Sequence, residues 1–391
     1  MIRKVRYFIF LRDILWLSIT SFGGPQAHIA MFLDVLVSKR GYLTEKELME
    51  LNALCQILPG PTSTQTITAL GFKVGGPNLA YLTLLVWMLP AVTVMICAGL
   101  VINLLTNQNI SLDFLRYIQP VAVGIVAYSA YQISTKVVST RLGYLLMVVG
   151  AFSAYYIRSP FLFPAIIVIG GVVSAFKFKK QPVEEKSKLN INWSNFILWA
   201  GVLLVAATLG GITDYKPVLL FENFYRNGSL IFGGGQVLVP LLYTEFVEFK
   251  EYVTGEIFRS GYALSQAIPG PTFSFAAYVG TVSLKEMGVL GQLVGGFLTA
   301  IAIFLPGTFL IFFVIRFWEQ LKKYRVIRAS LEGVQAVSAG LVIAAAFILF
   351  EPLSESVVNY GISAAIFALL FFTKIPTPVY FIGGLVAGFL L

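Results

Sequence analysis

Phe22-Gly23-Gly24-Pro25-Gln26 and Gln56-Ile57-Leu58-Pro59-Gly60-Pro61-Thr62 decide the fold because both recur, as Phe232-Gly233-Gly234-Gly235-Gln236 and Gln266-Ala267-Ile268-Pro269-Gly270-Pro271-Thr272. The offset is 210 in both cases (236 − 26 and 266 − 56). Glycine and proline interrupt helices. Interruptions duplicated in apolar surroundings are how membrane proteins with internal repeats open backbone near the bilayer midplane.

The surroundings are apolar: 57% of residues are hydrophobic and 12% charged, and mean hydropathy is +0.82. A soluble domain carries about 25% charged residues, so the chain reads as an integral membrane protein with the lipid bilayer as its solvent. The net charge of +9 does not point to nucleic acid, because the basic residues are scattered among loops between apolar spans. Cys55 and Cys97 lie in apolar context without paired spacing, which indicates neither disulfide nor metal site, and no cofactor is expected.

The basic start, Arg3, Lys4 and Arg6, and the lysines at 177, 179, 180, 186 and 188 place the N-terminus and the single long polar linker on the cytoplasmic side. The expected organisation is a first transmembrane repeat over residues 1–176, a basic linker over 177–192, a connecting transmembrane helix over 193–213 and a second repeat over 214–391. Apolar runs predict long helices at about 78–104, 115–137, 141–157 and 160–176. Ahead of them, residues 7–22 and 26–38 flank Phe-Gly-Gly, and 45–57 and 62–74 flank Pro-Gly-Pro. Each pair reads as a broken helix or a re-entrant helical hairpin, the hairpin being preferred, and Thr44 with Glu47 resembles a capping box.

The extra span from Trp193 has no counterpart in the first half, and one extra crossing inverts everything after it. Loop charges agree. The 105–115 loop has no Lys or Arg, whereas its partner carries Arg316, Lys322, Lys323, Arg325 and Arg328. The fold expected is therefore all-α and polytopic, with two inverted-topology repeats of two breaks plus about four transmembrane helices each, and the C-terminus outside. Repetition continues at Leu89-Pro90 with Leu305-Pro306 and at Gln119 with Gln335, where the offset is 216 (335 − 119).

Phe-Gly-Gly-Pro-Gln and Phe-Gly-Gly-Gly-Gln, each followed by Gln-x-x-Pro-Gly-Pro, resemble the paired signatures of the chromate ion transporter family in its long two-domain form. The resemblance covers both halves. It implies a plasma-membrane protein that moves chromate, or its near-isostere sulfate, with export and chromate resistance as the associated role, and no enzymatic activity. A homodimer is left open. One departure is Pro25, where the second copy has Gly235.

The residues suit that implication. A tetrahedral dianion must shed hydration to enter a low-dielectric site, and helix N-termini offer unpaired N–H groups and a positive dipole end. The substrate-binding candidates are Phe22, Gly23, Gly24, Gln26, Gln56, Pro59, Gly60, Pro61 and Thr62, with their equivalents Phe232, Gly233, Gly234, Gly235, Gln236, Gln266, Pro269, Gly270, Pro271 and Thr272. The four glutamines are neutral donors, which lets an ion leave, although an amide at a break also satisfies the backbone's own carbonyls.

Arg226, six residues before Phe232, is the further candidate, as a permanent cation or as a boundary residue. Arg259, Lys73, Arg116 and Lys136 lie near predicted ends and read as snorkelling. His28 has no counterpart, position 238 being Leu, and reads as a packed side chain or a proton carrier. A passive anion channel and, more remotely, an intramembrane enzyme are the alternatives to a transporter.

Overall fold

The structure is a computed structural model, and it describes residues 2–22, 24–108, 113–157, 159, 162–177, 191–231, 235–318, 324–373 and 375–390. The expected linker over 177–192 lies mostly outside them. The first half opens with α1 (Ile2–Thr20) and α2 (Gly24–Phe32), which continues as a π-helix over Leu33–Lys39, and then α3 (Glu45–Ile57) and α4 (Thr62–Gly75). Four longer elements follow: α5 (Pro77–Asn107), α6 (Ile118–Val137), α7 (Arg141–Tyr156) and α8 (Leu162–Ala175). After α9 (Ser194–Thr213) the order repeats with α10 (Lys216–Leu230), α11 (Gly235–Tyr243) with its π-helix Thr244–Phe249, α12 (Gly255–Ala267) and α13 (Phe275–Ser283). The chain closes with α14 (Gly288–Val314), α15 (Arg325–Phe350), α16 (Val357–Phe372) and α17 (Thr377–Leu390).

Every element among the described residues is helical, as the apolar periodicity predicts. α5, α9, α14 and α15 are long and apolar enough to cross a membrane, and α8, α16 and α17 are shorter apolar helices. α1 begins earlier than residue 7, so the basic N-terminal residues are its first turns rather than a preceding tail.

Local signals explain the boundaries. Thr44 caps α3, its hydroxyl accepting from the Glu47 N–H while the Glu47 carboxylate accepts from the Thr44 N–H. Thr254, 210 positions on, accepts from the Ile257 N–H at the start of α12. Gly76 and Gly288 start α5 and α14 with φ of +79° and +70°, which favours glycine.

Polar contacts close both short pairs as hairpins. Arg40 Nη2 and Tyr42 Oη donate to the two carboxylate oxygens of Asp13 at 2.8 and 2.9 Å, returning the end of the first π-helix to α1. Lys73 Nζ donates to Glu47 Oε1 at 2.6 Å, which joins the end of α4 to the start of α3. In the second half Lys250 Nζ donates to Asn223 Oδ1 at 3.1 Å. Lys250 and Asn223 stand 210 positions after Arg40 and Asp13, so the clamp is repeated with an amide in place of the carboxylate.

The two halves pack unequally. Residues from α1 to α4 form one apolar cluster with the first part of α5, the end of α14 and the turn after it, including Phe32, Leu54, Trp87, Ile311 and Phe317. The equivalents α10 to α13 belong instead to a larger cluster shared with α6 to α8 and α15 to α17. α12 packs on α6 and α17, whereas α3 packs mainly on α4 and the π-helix beside it. Within the large cluster Gly170 and Gly333 let α8 and α15 meet backbone to backbone, the ordinary use of glycine between membrane helices.

Candidate functional site

The four breaks meet as two crossed pairs. The Gly60 N–H, in the first Pro-Gly-Pro, donates to the Ile231 carbonyl just before Phe232 at 2.7 Å. The Gly270 N–H, in the second, donates to the Ser21 carbonyl just before Phe22 at 2.9 Å. Ile231 is the equivalent of Ser21 (231 − 21 = 210), as Gly270 is of Gly60. Such reciprocity is what a two-fold relation between the halves requires.

Both glycines hold backbone that favours glycine, with φ of +120° at Gly60 and +102° at Gly270. Their surroundings are equivalent too. A Cβ at Gly60 would lie 3.2 Å from the Gly307 Cα, and one at Gly270 would lie 3.0 Å from the Ala91 Cβ. Gly307 and Ala91 each follow a proline inside the long helix of the opposite half, Pro306 in α14 and Pro90 in α5.

The start of α4 beside this crossing is polar and buried from Thr62 to Thr68. Gln65, 2% exposed, is the stitch: its Nε2 donates to the Pro59 carbonyl at 2.8 Å and to the Gly307 carbonyl of the other half at 3.1 Å. The Ser63 Oγ lies 3.0 Å from His28 Nδ1, and Trp87 Nε1 donates to Thr64 Oγ1 at 3.2 Å while its ring meets the His28 ring edge-on. His28 is thus packed within α2, α4 and α5. Gln65 was not among the expected site residues, although five consecutive polar residues, Thr62 to Thr66, mark the place in an otherwise apolar chain.

Of the expected candidates, Gly24 starts α2 at φ +77°, Phe22 is exposed, and Pro59, Gly60, Pro61 and Thr62 are buried around the crossing. Gln56 is exposed, while Gln266, Pro269, Gly270 and Thr272 are partly exposed and Pro271 is buried. Thr272 belongs to a 3-10 turn, Thr272–Ser274, that precedes α13, a difference from the direct start of α4. Gly23, Phe232, Gly233 and Gly234 lie outside the described residues; Gly235 and Gln236 are placed in α11, but the Gln26 and Gln236 side chains are likewise outside the description.

Two of the arginines considered from the sequence, Arg226 and Arg259, sit in different surroundings. Arg226 donates through Nε to Glu222 Oε1 at 2.8 Å and through Nη2 to Glu245 Oε1 at 2.6 Å. Glu245, 1% exposed, also accepts from Asn227 Nδ2 at 2.7 Å. The Arg226 charge is therefore matched by two carboxylates. Arg259, read above as snorkelling near a helix end, is half-buried, and its Nε donates to Gln119 Oε1 on α6 at 2.8 Å. Its Nη1 lies 3.4 Å from the Tyr243 hydroxyl on α11. Among the described residues no group of three or more metal-binding side chains occurs.

The family model described as "Chromate transporter" matches residues 8–175 and 218–389, one match in each half, with α9 outside both. An uncharacterized transporter of Methanocaldococcus jannaschii is 25% identical over 97% of this chain and 93% of its own. The probable chromate transport protein of Synechococcus elongatus is 26% identical, covering 95% and 92% of the two chains. The chromate transport protein of Pseudomonas aeruginosa is also 26% identical, covering 90% and 83%. No solved structure matches the chain.

Proposed function

The chain belongs to the chromate transporter family, and we propose that it carries chromate, with sulfate as a near-isosteric second substrate, across the plasma membrane by alternating access around the crossed breaks. The observation that carries this reading is the reciprocal pair of hydrogen bonds, Gly60 to Ile231 and Gly270 to Ser21, which joins each Pro-Gly-Pro to the residue before the Phe-Gly-Gly of the opposite half. α4 begins two residues after Gly60, α2 three after Ser21 and α11 four after Ile231. Their N-termini supply donors and positive dipole ends for a desolvated dianion without a mobile charge that would hold it. Gln26, Gln56, Gln236 and Gln266, with Thr62 and Thr272, add neutral donors that allow release.

The two-fold axis lies in the membrane plane in this reading. α9 adds one crossing between the halves, and equivalent loops carry opposite charge character, which supports inversion, a cytoplasmic N-terminus and an outward C-terminus. Both half-sites come from one chain, so a homodimer is not required. Export follows from the family resemblance.

Purified protein in proteoliposomes should accumulate radiolabelled chromate above the external concentration when a proton or sodium gradient is imposed. Gln56→Ala combined with Gln266→Ala should abolish it. Flux that only equilibrates would make the protein a channel, and accumulation unchanged in the double variant would remove the glutamines from the site.

A further inference from the structure

The geometry points to an oxyanion-capture station formed by Arg259, Gln119 and Tyr243 at the mouth of the α12–α13 hairpin, a subsite for a tetrahedral dianion on its way to the crossed breaks. This rests on the transport reading above. A half-buried guanidinium is ordinarily compensated by a carboxylate, as Arg226 is by Glu222 and Glu245. Arg259 has no carboxylate within ion-pair distance among the described residues: Glu256, one turn earlier on α12, acts on it only from beyond that distance, and the hydrogen-bond partners of Arg259 are a neutral amide and a phenol.

The two partners do not use the whole fork. A guanidinium has five N–H donors in a rigid fork. The bond from Nε to Gln119 Oε1 orients the plane, and the Tyr243 hydroxyl takes at most one Nη1 hydrogen at its long 3.4 Å. The remaining Nη hydrogens form the pair that binds two oxygens of a phosphate-like anion side by side. Gln119 is itself directed towards Ser260 Oγ, at 3.5 Å, so the station is held from α6, α11 and α12 together.

Position supports the same role. Arg259 stands one turn inside α12, after the Thr254 cap, and Gln266 stands seven positions further, nearly two whole turns along the same face and about 10 Å away. An anion leaving Arg259 would meet Gln266 and then the Pro269-Gly270-Pro271 break. The first half has Met49 and Leu33 where Arg259 and Tyr243 stand (259 − 210 and 243 − 210), so capture is built into one end of the pathway only.

Initial rates of radiolabelled chromate uptake into proteoliposomes test the station, using wild type, Arg259→Gln, Arg259→Lys and Gln119→Glu. Arg259→Gln should raise KM at least about tenfold with a smaller change in kcat, and Arg259→Lys should fall between, keeping charge without the fork. Gln119→Glu is decisive because it leaves Arg259 in place and gives it the missing carboxylate. It should raise KM as far as Arg259→Gln while the thermal unfolding midpoint is unchanged or higher. Unaltered KM in Arg259→Gln and Gln119→Glu overturns the station while the transport reading stands, as does a KM effect that appears only with a lowered unfolding midpoint. Failure of the wild type to transport chromate overturns the transport reading itself.

Discussion

Gly60→Ala tests whether the crossed hydrogen bonds latch the halves together. The new Cβ would sit at φ +120°, 3.0 Å from Gln65 Nε2 and 3.2 Å from the Gly307 Cα. Backbone strain of that kind costs about 1–3 kcal/mol. Displacing the Gly60 N–H from Ile231 leaves a buried donor unsatisfied, about 1–3 kcal/mol more. The sum, about 2–6 kcal/mol, raises the open population of the first hairpin by a factor of roughly 30 or more, since about 1.4 kcal/mol is tenfold.

Cys55 reports that opening, being fully buried in α3 close to the break, and Cys97→Ala removes the exposed thiol. On that background, labelling by a thiol-reactive dye should follow the open population when closing is fast. Gly60→Ala should accelerate labelling at least about 30-fold. Gly76→Ala is the control: its φ of +79° carries the strain, but nothing lies within 4 Å of its Cβ, so its effect should be several-fold smaller. Gly270→Ala should also expose Cys55, acting from the other half through Ser21. Equal labelling in Gly60→Ala and Gly76→Ala would refute the latch.

Two more outcomes follow from the geometry. The Glu47 carboxyl is held at a pKa of about 2, first by the hydrogen bond from Lys73 and then by those from Thr44. A depressed carboxyl stabilises the fold above its unfolded value of about 4.5 and loses that contribution as pH falls towards 2. Thermal unfolding followed by tryptophan fluorescence should therefore show a small drop across that window that Glu47→Gln lacks, the pair being exposed and screened. The contact of Arg259 with Gln119 has a two-fold image in Met49 with Gln335 (259 − 210 and 119 + 216). If the halves exchange roles during transport, Met49→Cys with Gln335→Cys should form a disulfide that depends on substrate and traps the carrier; formation independent of chromate would count against the exchange.

Much of the architecture could be read from short-range chemistry. Residues 45–57 emerge as α3 because the Thr44–Glu47 box and Pro59 bound it locally, and Pro59, Gly60 and Pro61 mark the break there, although its completion by Ile231 is not visible in them. What escaped depends on register across a break. Arg226 finds Glu245 nineteen positions on, past an expected break and inside a π-helix, so the 3.6-residue spacing of one helix could not pair them. Gln65 reaching Gly307 and Arg259 reaching Gln119 join opposite halves, where no periodicity within one helix carries the information. For Arg259 the distance from a predicted helix end is visible in the sequence, but the arrival of α6 alongside it is not.

Because Gly60 is completed by Ile231 and Gly270 by Ser21, neither half contains a finished break of its own. Each repeat should therefore complete its break only in the company of the other. On that geometry the duplication is no redundancy: the second copy should be unable to take over from a damaged first. A defect in one Pro-Gly-Pro should find its second-site suppressors beside the Phe-Gly-Gly of the opposite half, and the two halves should survive genetic separation only when both are made together.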